Sequence, residues 1–511
     1  MKYLVTAEEM RRADSFTITE IGIPAVVLME RAALAALEAV EGYCREHPDA
    51  GNTVLVMAGV GNNGGDGLAL ARMLAEADFS VEVWIVGDTE KASEQWRQQR
   101  KILEHYSPGF CSNPQKSEYT ILVDALFGVG LSREISGVFE SAVERFNGLR
   151  GWKIALDVPS GVDSDTGRIL GKDSVRADET LTFGFCKRGL ALYPGCLAAG
   201  RVTTAHIGIP EAAFDGALPG MFVLDESPEE LLPGRCPWGN KGTFGKVLLI
   251  AGSLNMAGAA VLAAGAAYRA GAGMVKVVTP AENREIIQVS LPEALVGTEE
   301  ELASCFDWAD VIAIGPGLGK SAAARQMLEK VISDATLPLL IDGDGLNLLA
   351  ESALLRRILA EQGRSGRSIV LTPHVGELAR LLGKEIPEIQ ENVAAWGRNL
   401  AMELQTVVAA KDARTFICKE GEPVCVNVSG NSGLATAGSG DVLAGGIAGL
   451  MAQGMEAYRA ACVGVYLHGL AGDRAAAERG EHACMAGDLV KQGRRGGSGE
   501  TYCGLLKIRE K

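Results

Sequence analysis

Several features that would quickly assign this chain to a class are absent from its sequence. The 11 cysteines are scattered, odd in number and never spaced as Cys-x-x-Cys, which argues against a disulfide framework or a zinc knuckle. Such usage is typical of reduced thiols in a cytosol. Residues 1–10 contain charged side chains and no apolar core of a secretory signal, so we expect a cytoplasmic protein.

An excess of positive charge and a membrane span are also missing. The chain carries 49 Lys and Arg against 64 Asp and Glu residues, a net charge of −15, which argues against a nucleic-acid-binding surface. The charge-free segment 247–268 contains Ser253, Asn255 and several glycines, which favour a strand, a turn and a helix over a bilayer span. We expect no nucleic-acid or membrane partner, and we expect a homo-oligomer.

Apolar side chains and glycine are abundant. With 511 residues, of which 47% are hydrophobic, the chain is long enough for roughly two to four domains. Its 64 glycines recur in strand–glycine–helix units, without a fixed-period repeat. The composition therefore predicts α/β layers with phosphate-binding turns.

The first half alternates short β-branched runs with helix-length segments. Each run ends near Gly, Asp or Pro, which is typical of a parallel, doubly wound sheet whose ligands lie at the carboxyl ends of its strands. A capping-box sequence, Thr6 to Glu9, opens a segment at 6–40 that we predict to be helical. The predicted strands are 53–57, 81–86, 120–124 and 153–157.

A second α/β half follows a proline-rich connection. Five prolines between 210 and 237 indicate a linker or a lid-like segment. We divide the chain into an N-terminal domain (1–215), a linker (216–237), a C-terminal domain (238–490) and a tail (491–511). The second half has predicted helices at 257–270 and 457–474, and predicted strands at 246–251, 274–279, 311–314, 339–342, 368–371, 406–410 and 424–428.

A glycine-rich turn follows the strand at 53–57. Gly59, Gly61 and Gly64 have the G-x-G-x-x-G spacing of a dinucleotide-binding turn, so a dinucleotide-dependent oxidoreductase is the simple interpretation. The turn is more polar than a pyrophosphate site requires. Its extra amides and carboxylate suit hydroxyl groups or a cation, and they belong to Asn62, Asn63 and Asp66.

Two further strand ends in the first half carry oxygen ligands. Asp124 ends one strand, and Asp157 and Ser160 follow the next. Because adjacent strand ends converge on one crevice, an amide, a carboxylate and a hydroxyl oxygen there would suit a hard cation. Taken singly, each of these residues is also a common turn or cap former.

Strand ends in the second half carry phosphate-binding residue types. The loop at 315–319 is glycine-rich, and two carboxylates follow the strand at 339–342. His374 is the one histidine of six at a strand–helix junction beside an acid, for which a capping or structural role is the alternative. Lys411, Arg414 and Thr415 are the residue types of a phosphate clamp.

The most informative segment is Gly438-Ser-Gly-Asp441, which precedes an apolar helix at 442–451. The unpaired N–H groups and the dipole of a helix N-terminus attract phosphate. A carboxylate there repels phosphate unless it holds a cation or takes a proton from a hydroxyl group that attacks phosphorus. The alternative is an aspartate that only stabilises its own helix.

Motifs in both halves resemble those of the NAD(P)H-hydrate repair enzymes. Motifs similar to the epimerase domain are Gly61-Asn-Asn-Gly-Gly-Asp-Gly67, Val123-Asp-Ala-Leu-Phe-Gly128 and Asp157-Val-Pro-Ser-Gly-Val-Asp163. Motifs similar to the dehydratase domain are Asn240-Lys-Gly-Thr-Phe-Gly245, Ile314-Gly-Pro-Gly-Leu-Gly319, Leu371-Thr-Pro-His374 and Gly438-Ser-Gly-Asp441. Their order matches a bifunctional member over nearly the whole chain except the tail.

The resemblance implies a two-domain α/β protein, with a Rossmann-like N-terminal domain and a ribokinase-like C-terminal domain. Its substrates, NADHX and NADPHX, are reduced cofactors with water added across a nicotinamide double bond, leaving a C6 hydroxyl in R or S form. The N-terminal domain is implied to interconvert the epimers. The C-terminal domain is implied to use ADP with Mg²⁺, or alternatively ATP, to phosphorylate the S hydroxyl and expel it as phosphate.

The resemblance also implies roles for individual residues. A potassium ion is bound by Asn63, Asp124 and Ser160. Contacts with the substrate in the N-terminal domain come from Asn62, Asn63, Gly64, Gly65, Asp66, Gly128, Val129, Gly130, Leu131, Ser132, Arg133, Glu134 and Asp157. Contacts in the C-terminal domain come from Ala257, Gly317, His374 and Asp441. The adenine nucleotide is held by Lys411, Asp412, Ala413, Arg414, Thr415 and Gly440.

Two acids are our candidates for catalysis. We expect Asp441 to deprotonate the C6 hydroxyl as it attacks the terminal phosphate, and Asp157 to move the proton in the epimerase domain. The motifs also suit a ribokinase-type small-molecule kinase fused to a dinucleotide-binding domain, which would release a stable phosphorylated product. A non-catalytic dinucleotide sensor would bind without turnover.

Overall fold

The computed structural model describes residues 1–106, 108–492 and 509–510. One compact unit comprises Lys2–Met221 with residues 509–510, and a second extends from Phe222 to residue 492 of the described chain. The boundary lies inside the segment predicted as a linker, 216–237. Most of the predicted tail, 491–511, lies outside the described residues.

The N-terminal unit is built on a parallel sheet. The strands of this unit are β1 (Lys2–Val5), β2 (Thr53–Ala58), β3 (Ser80–Ile85), β4 (Gly109–Cys111), β5 (Glu118–Ala125), β6 (Arg150–Leu156), β7 (Glu179–Phe183), β8 (Cys186–Lys187) and β9 (Arg201–Ala205). Of these, β1 and β8 pair with each other outside the main sheet. Its helices are α1 (Ala7–Phe16), α2 (Ala25–Glu46), α3 (Asn62–Glu76), α4 (Glu94–Leu103), α5 (Val138–Gly148), α6 (Arg188–Ala191) and α7 (Gly195–Ala199). The strand order is β9-β7-β6-β5-β2-β3-β4, and Arg509–Glu510 pairs in parallel with β9.

Helices cover both faces of this sheet. Along β2, Val54 and Val56 belong to the apolar cluster on one face, whereas Leu55 and Met57 belong to the cluster on the other. Because successive side chains of a strand point to opposite faces, a strand buried on both sides is a continuous apolar run. The four strands predicted from such apolar runs in this half are confirmed as β2, β3, β5 and β6.

The predicted helix at 6–40 is wrong as one continuous element. The capping box is present, since the Thr6 hydroxyl accepts a bond from the Glu9 N–H at 3.1 Å. However, α1 passes into one π-helical turn, Thr17–Ile21, which ends at Gly22 with φ of 87°. Gly22 adopts this left-handed backbone easily, and Pro24 then sets the start of α2.

The C-terminal unit has a larger mixed sheet. From the boundary onward the strands are β10 (Met221–Val223), β11 (Lys246–Ile250), β12 (Met274–Val278), β13 (Leu295–Gly297), β14 (Val311–Ile314), β15 (Leu339–Ile341), β16 (Ile369–Leu371), β17 (Val407–Ala410), β18 (Thr415–Cys418) and β19 (Val424–Asn427). The last strand, β20 (Arg509–Glu510), belongs to the sheet of the N-terminal unit. The order in the C-terminal unit is β13-β12-β11-β14-β15-β16-β17-β18-β19, in which β18 runs antiparallel to both β17 and β19 and the other neighbouring strands pair in parallel.

Helices of this unit flank the sheet in sequence order. They are α8 (Pro228–Leu231), α9 (Ala257–Ala270), α10 (Arg284–Ser290), α11 (Leu302–Phe306), α12 (Ala322–Asp334), α13 (Gly343–Ala350), α14 (Ala353–Arg364), α15 (Val375–Leu382), α16 (Ile386–Glu391), α17 (Val393–Leu404), α18 (Ser439–Ala452), α19 (Ala457–Arg479) and α20 (Ala486–Gln492). All seven strands predicted in the second half are confirmed, whereas β13 and β18 were not predicted.

Two compositional expectations can be compared with the structure. Segment 247–268 forms β11 and most of α9, as predicted. None of the helices in the described part of the chain combines the length and apolarity that a membrane span requires. The ten described cysteines are free thiols.

Close packing of α18 on α9 depends on glycine, which gives a stability prediction. A Cβ atom at Gly445 would lie 2.0 Å from the Ala263 carbonyl oxygen, whereas one at Gly446 would meet nothing within 4 Å. We expect Gly445→Ala to lower the free energy of unfolding by about 1–3 kcal/mol or more, because the helices must separate. Gly446→Ala, the matched control, should raise it by about 0.5–1 kcal/mol. Urea unfolding of both variants measures the difference, and equal stability would contradict this packing.

Candidate functional site

The N-terminal unit contains a cavity of about 1020 Å³ at the carboxyl ends of β2, β3, β5 and β6. The N-terminus of α3 faces this cavity. No side chain caps the helix there, because the residue that precedes it is Gly61. Nine residues predicted as substrate contacts line this cavity, namely Asn62, Asn63, Asp66, Gly128, Val129, Gly130, Leu131, Arg133 and Asp157.

Four other predicted contacts lie elsewhere. A Cβ at Gly64 would lie 1.9 Å from the Gly59 carbonyl oxygen, and a Cβ at Gly65 would lie 2.8 Å from the Met29 methyl group. These two glycines therefore allow α3 to approach its neighbours and do not line the cavity. Ser132 and Glu134 are exposed on the loop after β5, outside the cavity lining.

Asp157 is held tightly at the end of β6. It adopts a left-handed backbone with φ of 67°. One carboxylate oxygen lies 2.6 Å from the Lys187 Nζ, and the other accepts a bond from the Val129 N–H at 2.9 Å. Lys187 is 1% exposed and also donates to Thr182 and Phe183. Asp157 is thus an oriented, ion-paired carboxylate inside the cavity.

Two further carboxyl groups line the same cavity. Burial raises the pKa of Asp14, and the charge of Asp157 adds to this effect while Lys187 opposes it. Burial, together with the charges of Asp157 and Asp14, raises the pKa of Asp66 well above its usual value. The cavity therefore combines an ion-paired carboxylate with two carboxyl groups whose pKa is raised by burial.

The predicted cation ligands lie at neighbouring strand ends. Asp124 accepts bonds from the Ser160 hydroxyl and from the Ser160 N–H, both at 2.7 Å. Burial raises the pKa of Asp124 to about 6 despite these bonds. The buried amide oxygen and nitrogen of Asn63 have no hydrogen-bond partner among the described residues. An amide oxygen left without a donor suits a role as a cation ligand.

In the C-terminal unit, charged groups converge from adjacent strand ends. Asp342, which follows β15, accepts a bond from the Thr372 hydroxyl at 2.6 Å and from the Lys411 Nζ at 3.0 Å. Burial disfavours the charge of Lys411, but the carboxylates of Asp342 and Glu377 outweigh burial and raise the pKa of the lysine. A Cβ at Gly440 would lie 3.4 Å from this ammonium group, so the N-terminus of α18 adjoins it.

Asp441 belongs to the first turn of α18, beside the same cluster. Burial raises its pKa to about 6, with a further contribution from the charge of Asp342, although Lys411 acts in the opposite direction. Gly438 adopts a left-handed backbone with φ of 88°, and no side chain caps the helix. A carboxyl group that loses its proton near pH 6 is matched to proton transfer at neutral pH.

His374 adopts the capping role that was its alternative interpretation. Its Nδ1 accepts a bond from the Gly376 N–H at 3.0 Å, so the neutral ring carries its proton on Nε2, which lies 3.3 Å from Glu377. Burial and the charge of Lys411 lower the pKa of His374, and burial raises the pKa of Glu377 to about 7. The side chain remains 54% exposed, and His374 pairs with Lys411 in an isolated parallel bridge.

The other predicted contacts in this unit fall into two groups. Gly317 lies against the start of α9, since a Cβ there would be 2.7 Å from the Ala259 Cβ, and Ala257 is the first residue of that helix. Asp412 and Ala413 are exposed in the turn between β17 and β18, where Thr415 begins β18. Arg414 is 5% exposed and donates to the Val428 carbonyl, which is not the exposed position that a phosphate clamp requires.

Known proteins resemble both units. The family described as YjeF-related protein N-terminus matches residues 25–189, and the family described as NAD(P)H-hydrate dehydratase matches residues 247–506. The bifunctional NAD(P)H-hydrate repair enzyme Nnr of Moorella thermoacetica is 37% identical over 512 residues, covering 96% of this chain and 95% of that protein. The chain belongs to the family of bifunctional NAD(P)H-hydrate repair enzymes.

A further relative and a solved structure are also similar to this chain. The Nnr enzyme of Escherichia coli is 33% identical over 497 residues, covering 94% of this chain and 92% of that protein. A solved Bacillus subtilis structure, described as an ADP/ATP-dependent NAD(P)H-hydrate dehydratase co-crystallized with ATP/Mg²⁺, is 31% identical. It covers 52% of this chain and 95% of its own, with a TM-score of 0.47.

The motifs of the repair-enzyme family did not point to four polar residues that the structure places near the two sites. They are Asp14, Lys187, His468 and Asp473. Asp14 continues the buried Met10 and Ala13 stripe of α1 at helical spacing. An acid on the inward face of an amphipathic helix was therefore a signal available in the sequence.

His468 and Asp473 lie on α19 and support the glycine-rich segment before Asp441. The Nε2 of His468 lies 3.0 Å from the Ser439 carbonyl oxygen, and burial lowers the pKa of this histidine to about 4. Asp473 accepts bonds from the Gly430 N–H and the Asn431 amide, both at 2.9 Å. In this repair-enzyme chain, a neighbouring helix thus orients the N-terminus of α18.

Proposed function

We propose that this protein repairs hydrated NADH and NADPH in two steps. The N-terminal unit interconverts the R and S epimers, and the C-terminal unit removes water from the S epimer with ADP as the phosphate donor, ATP being the alternative. The observation that carries the proposal is the placement of Asp441 beside the Asp342–Lys411 pair at an open helix N-terminus.

Dehydration follows from the charges at that N-terminus. Asp441 takes the proton of the C6 hydroxyl group as its oxygen attacks the terminal phosphorus. Lys411 and the N–H groups at 438–440 stabilise the negative charge of the phosphoryl group during transfer. The C6–O bond then breaks, phosphate leaves with the former hydroxyl oxygen, and loss of a ring proton restores the double bond.

We further propose that Mg²⁺ binds together with the nucleotide. No group of three His, Cys, Asp or Glu side chains suited to a metal occurs among the described residues. Mg²⁺ commonly takes most of its ligands from phosphates and water, so the carboxylate of Asp342 would suffice on the protein side. Bound there, Mg²⁺ would supply neutralisation of the phosphate charge.

A potassium site in the N-terminal unit is a separate proposal, supported by the unpartnered Asn63 amide and the Asp124–Ser160 pair. Bound K⁺ would neutralise Asp124.

We expect KCl to raise the unfolding temperature of the wild type more than LiCl at equal ionic strength, because a ligand that binds the native state stabilises it. Asn63→Ala should lose that difference and the exposed control Asn113→Ala should keep it in thermal scans. Equal effects of both salts on the wild type would contradict the site.

The overall function is tested with one incubation. The wild-type protein receives a mixture of both epimers of hydrated NADH with ADP, then with ATP. Repair predicts recovery of the reduced nicotinamide absorbance for the whole pool, with one phosphate released per molecule. A stable phosphorylated product would instead favour the ribokinase-type kinase, and binding without turnover would favour the sensor.

The proposed location is the cytoplasm, which the free thiols of the ten described cysteines support. The homo-oligomer stays a prediction, for which light scattering of the purified protein is the direct measurement.

A further inference from the structure

Four of the ionisable side chains that line the N-terminal cavity come from four different elements. Asp14 comes from α1, Asp66 from α3, Asp157 from the end of β6 and Lys187 from β8. Lys187 is committed to Asp157, which it contacts at 2.6 Å. Among the described residues, the Asp14 carboxyl group has neither a hydrogen-bond partner nor a salt-bridge partner, although it lines the cavity.

Epimerisation at a carbon that bears both a hydroxyl group and a ring nitrogen needs two proton-transfer groups if it proceeds through water loss. One group protonates the hydroxyl oxygen, the C6–O bond breaks as the nitrogen lone pair forms a C=N bond, and water leaves. A water molecule then adds to the opposite face, and a second group takes its proton. One water leaves and one enters, so atoms and charge balance.

Asp157 meets the requirements of the second group. Its carboxylate accepts bonds from a lysine and from a backbone N–H, which orient it toward the cavity as a proton acceptor. The first group must carry a proton and lie on another wall. Resting on the proposed epimerase function, we propose that Asp14 is this first group, donating its proton to the departing hydroxyl group while Asp157, the second group, accepts one from the incoming water.

The surroundings of Asp14 support its selection over Asp66. The charged or titratable groups of other elements that act on it electrostatically are Lys187, Asp157 and Asp66, and Arg11 of its own helix lines the same cavity. Asp66 lies on α3, one turn after the proposed potassium ligand Asn63, whereas Asp14 comes from α1, and burial with neighbouring charges raises the pKa of Asp66 well above its usual value. Burial raises the pKa of Asp14 as well, while Lys187 opposes this effect and Asp157 adds to it, and the position of Asp14 in the wall of an open cavity lets it exchange its proton with bulk water after each turnover.

The test measures epimerisation of the pure R epimer in H₂¹⁸O with the full-length protein. Wild type should incorporate one ¹⁸O at C6 for each epimerisation. Asp14→Asn should lower kcat by about 100-fold or more with KM changed less than about threefold, because general acid–base groups contribute on that scale. Asp14→Glu should recover part of kcat, and Glu8→Gln, which removes an exposed acid from the same helix, should behave as wild type.

The pH profile separates a proton donor from a structural residue. Because Asp14 must be protonated, wild-type kcat should fall on the alkaline side, and Asp14→Asn should lose that limb. A kcat for Asp14→Asn within about twofold of wild type, or retention of ¹⁶O in the epimerised wild-type product, would overturn the proposal. A wild-type protein that does not epimerise at all would instead refute the proposed function, so the two failures are distinct.

Discussion

Asp441→Asn should abolish dehydration and leave epimerisation intact. The substitution removes the carboxylate that accepts the hydroxyl proton but keeps the size and shape of the side chain. A general base contributes about 10²–10⁴-fold to a rate, so we expect kcat for the S epimer to fall by that factor. The measurement is recovery of the reduced nicotinamide absorbance from the S epimer with saturating nucleotide.

The pH dependence and the stability of this variant sharpen the test. Since Asp441 must be ionised and its pKa is about 6, the wild-type rate should fall as pH drops below about 6, and Asp441→Asn should lack that fall. The folded-state pKa lies above the unfolded value, so the ionised carboxylate lowers stability above pH 6. The variant should therefore unfold at an equal or higher temperature than wild type at pH 8.

An appropriate control makes the same chemical change elsewhere in the unit. Asp307 is exposed, and Asp307→Asn should retain wild-type dehydration and stability. If Asp441 only stabilised its own helix, Asp441→Asn would lower the unfolding temperature and keep its activity. That combination would contradict the proposed proton transfer.

Asp157→Asn should produce the opposite separation of activities. Epimerisation should fall by about 10²–10⁴-fold, whereas dehydration of the pure S epimer should continue at the wild-type rate. With a mixture of epimers and ADP, absorbance recovery should then stop at the share of S epimer present at the start. Asparagine tolerates the left-handed backbone at this position, so the substitution adds no backbone strain.

Asp157→Asn should also lower the free energy of unfolding, because Lys187 is 1% exposed and loses its ionic partner. Removing one member of a buried ion pair costs about 3–5 kcal/mol. The double variant Asp157→Asn/Lys187→Met should recover much of the unfolding temperature without recovering epimerisation. Asp49→Asn, an exposed matched control, should change neither quantity. Normal epimerisation by either Asp157 variant would refute its role as the proton acceptor.

Strands with a simple pattern could be predicted from the sequence, and others could not. The strand β2 is a continuous apolar run because helices cover both of its faces, and such runs are visible without any knowledge of neighbours. By contrast, β7 alternates threonines with apolar residues, β9 contains two adjacent threonines, and β13 and β18 have only three or four residues. Their pairing partners, rather than their own patterns, make them strands.

Sequence also predicted the order of the reactive groups, but not the direction in which each side chain points. Asp342, Lys411 and Asp441 meet because each follows a strand or starts a helix at the same edge of one sheet. Arg414 belongs to the same segment as Lys411, yet it turns inward to a carbonyl group. The N-terminal capping of α15 by His374 likewise depends on local backbone geometry that a motif does not specify.

The sequence by itself therefore determined the fold class and the family, because apolar runs and glycine turns encode strand ends directly, and the roles of the individual site residues stay predictions. The tertiary structure alone decided which ionisable groups interact. Asp14 lies far from Asp157 in the chain, and Lys187 belongs to a different strand. Only folding brings these three side chains to one cavity. Burial and the charges gathered there then raise the pKa of Asp14 and Asp66.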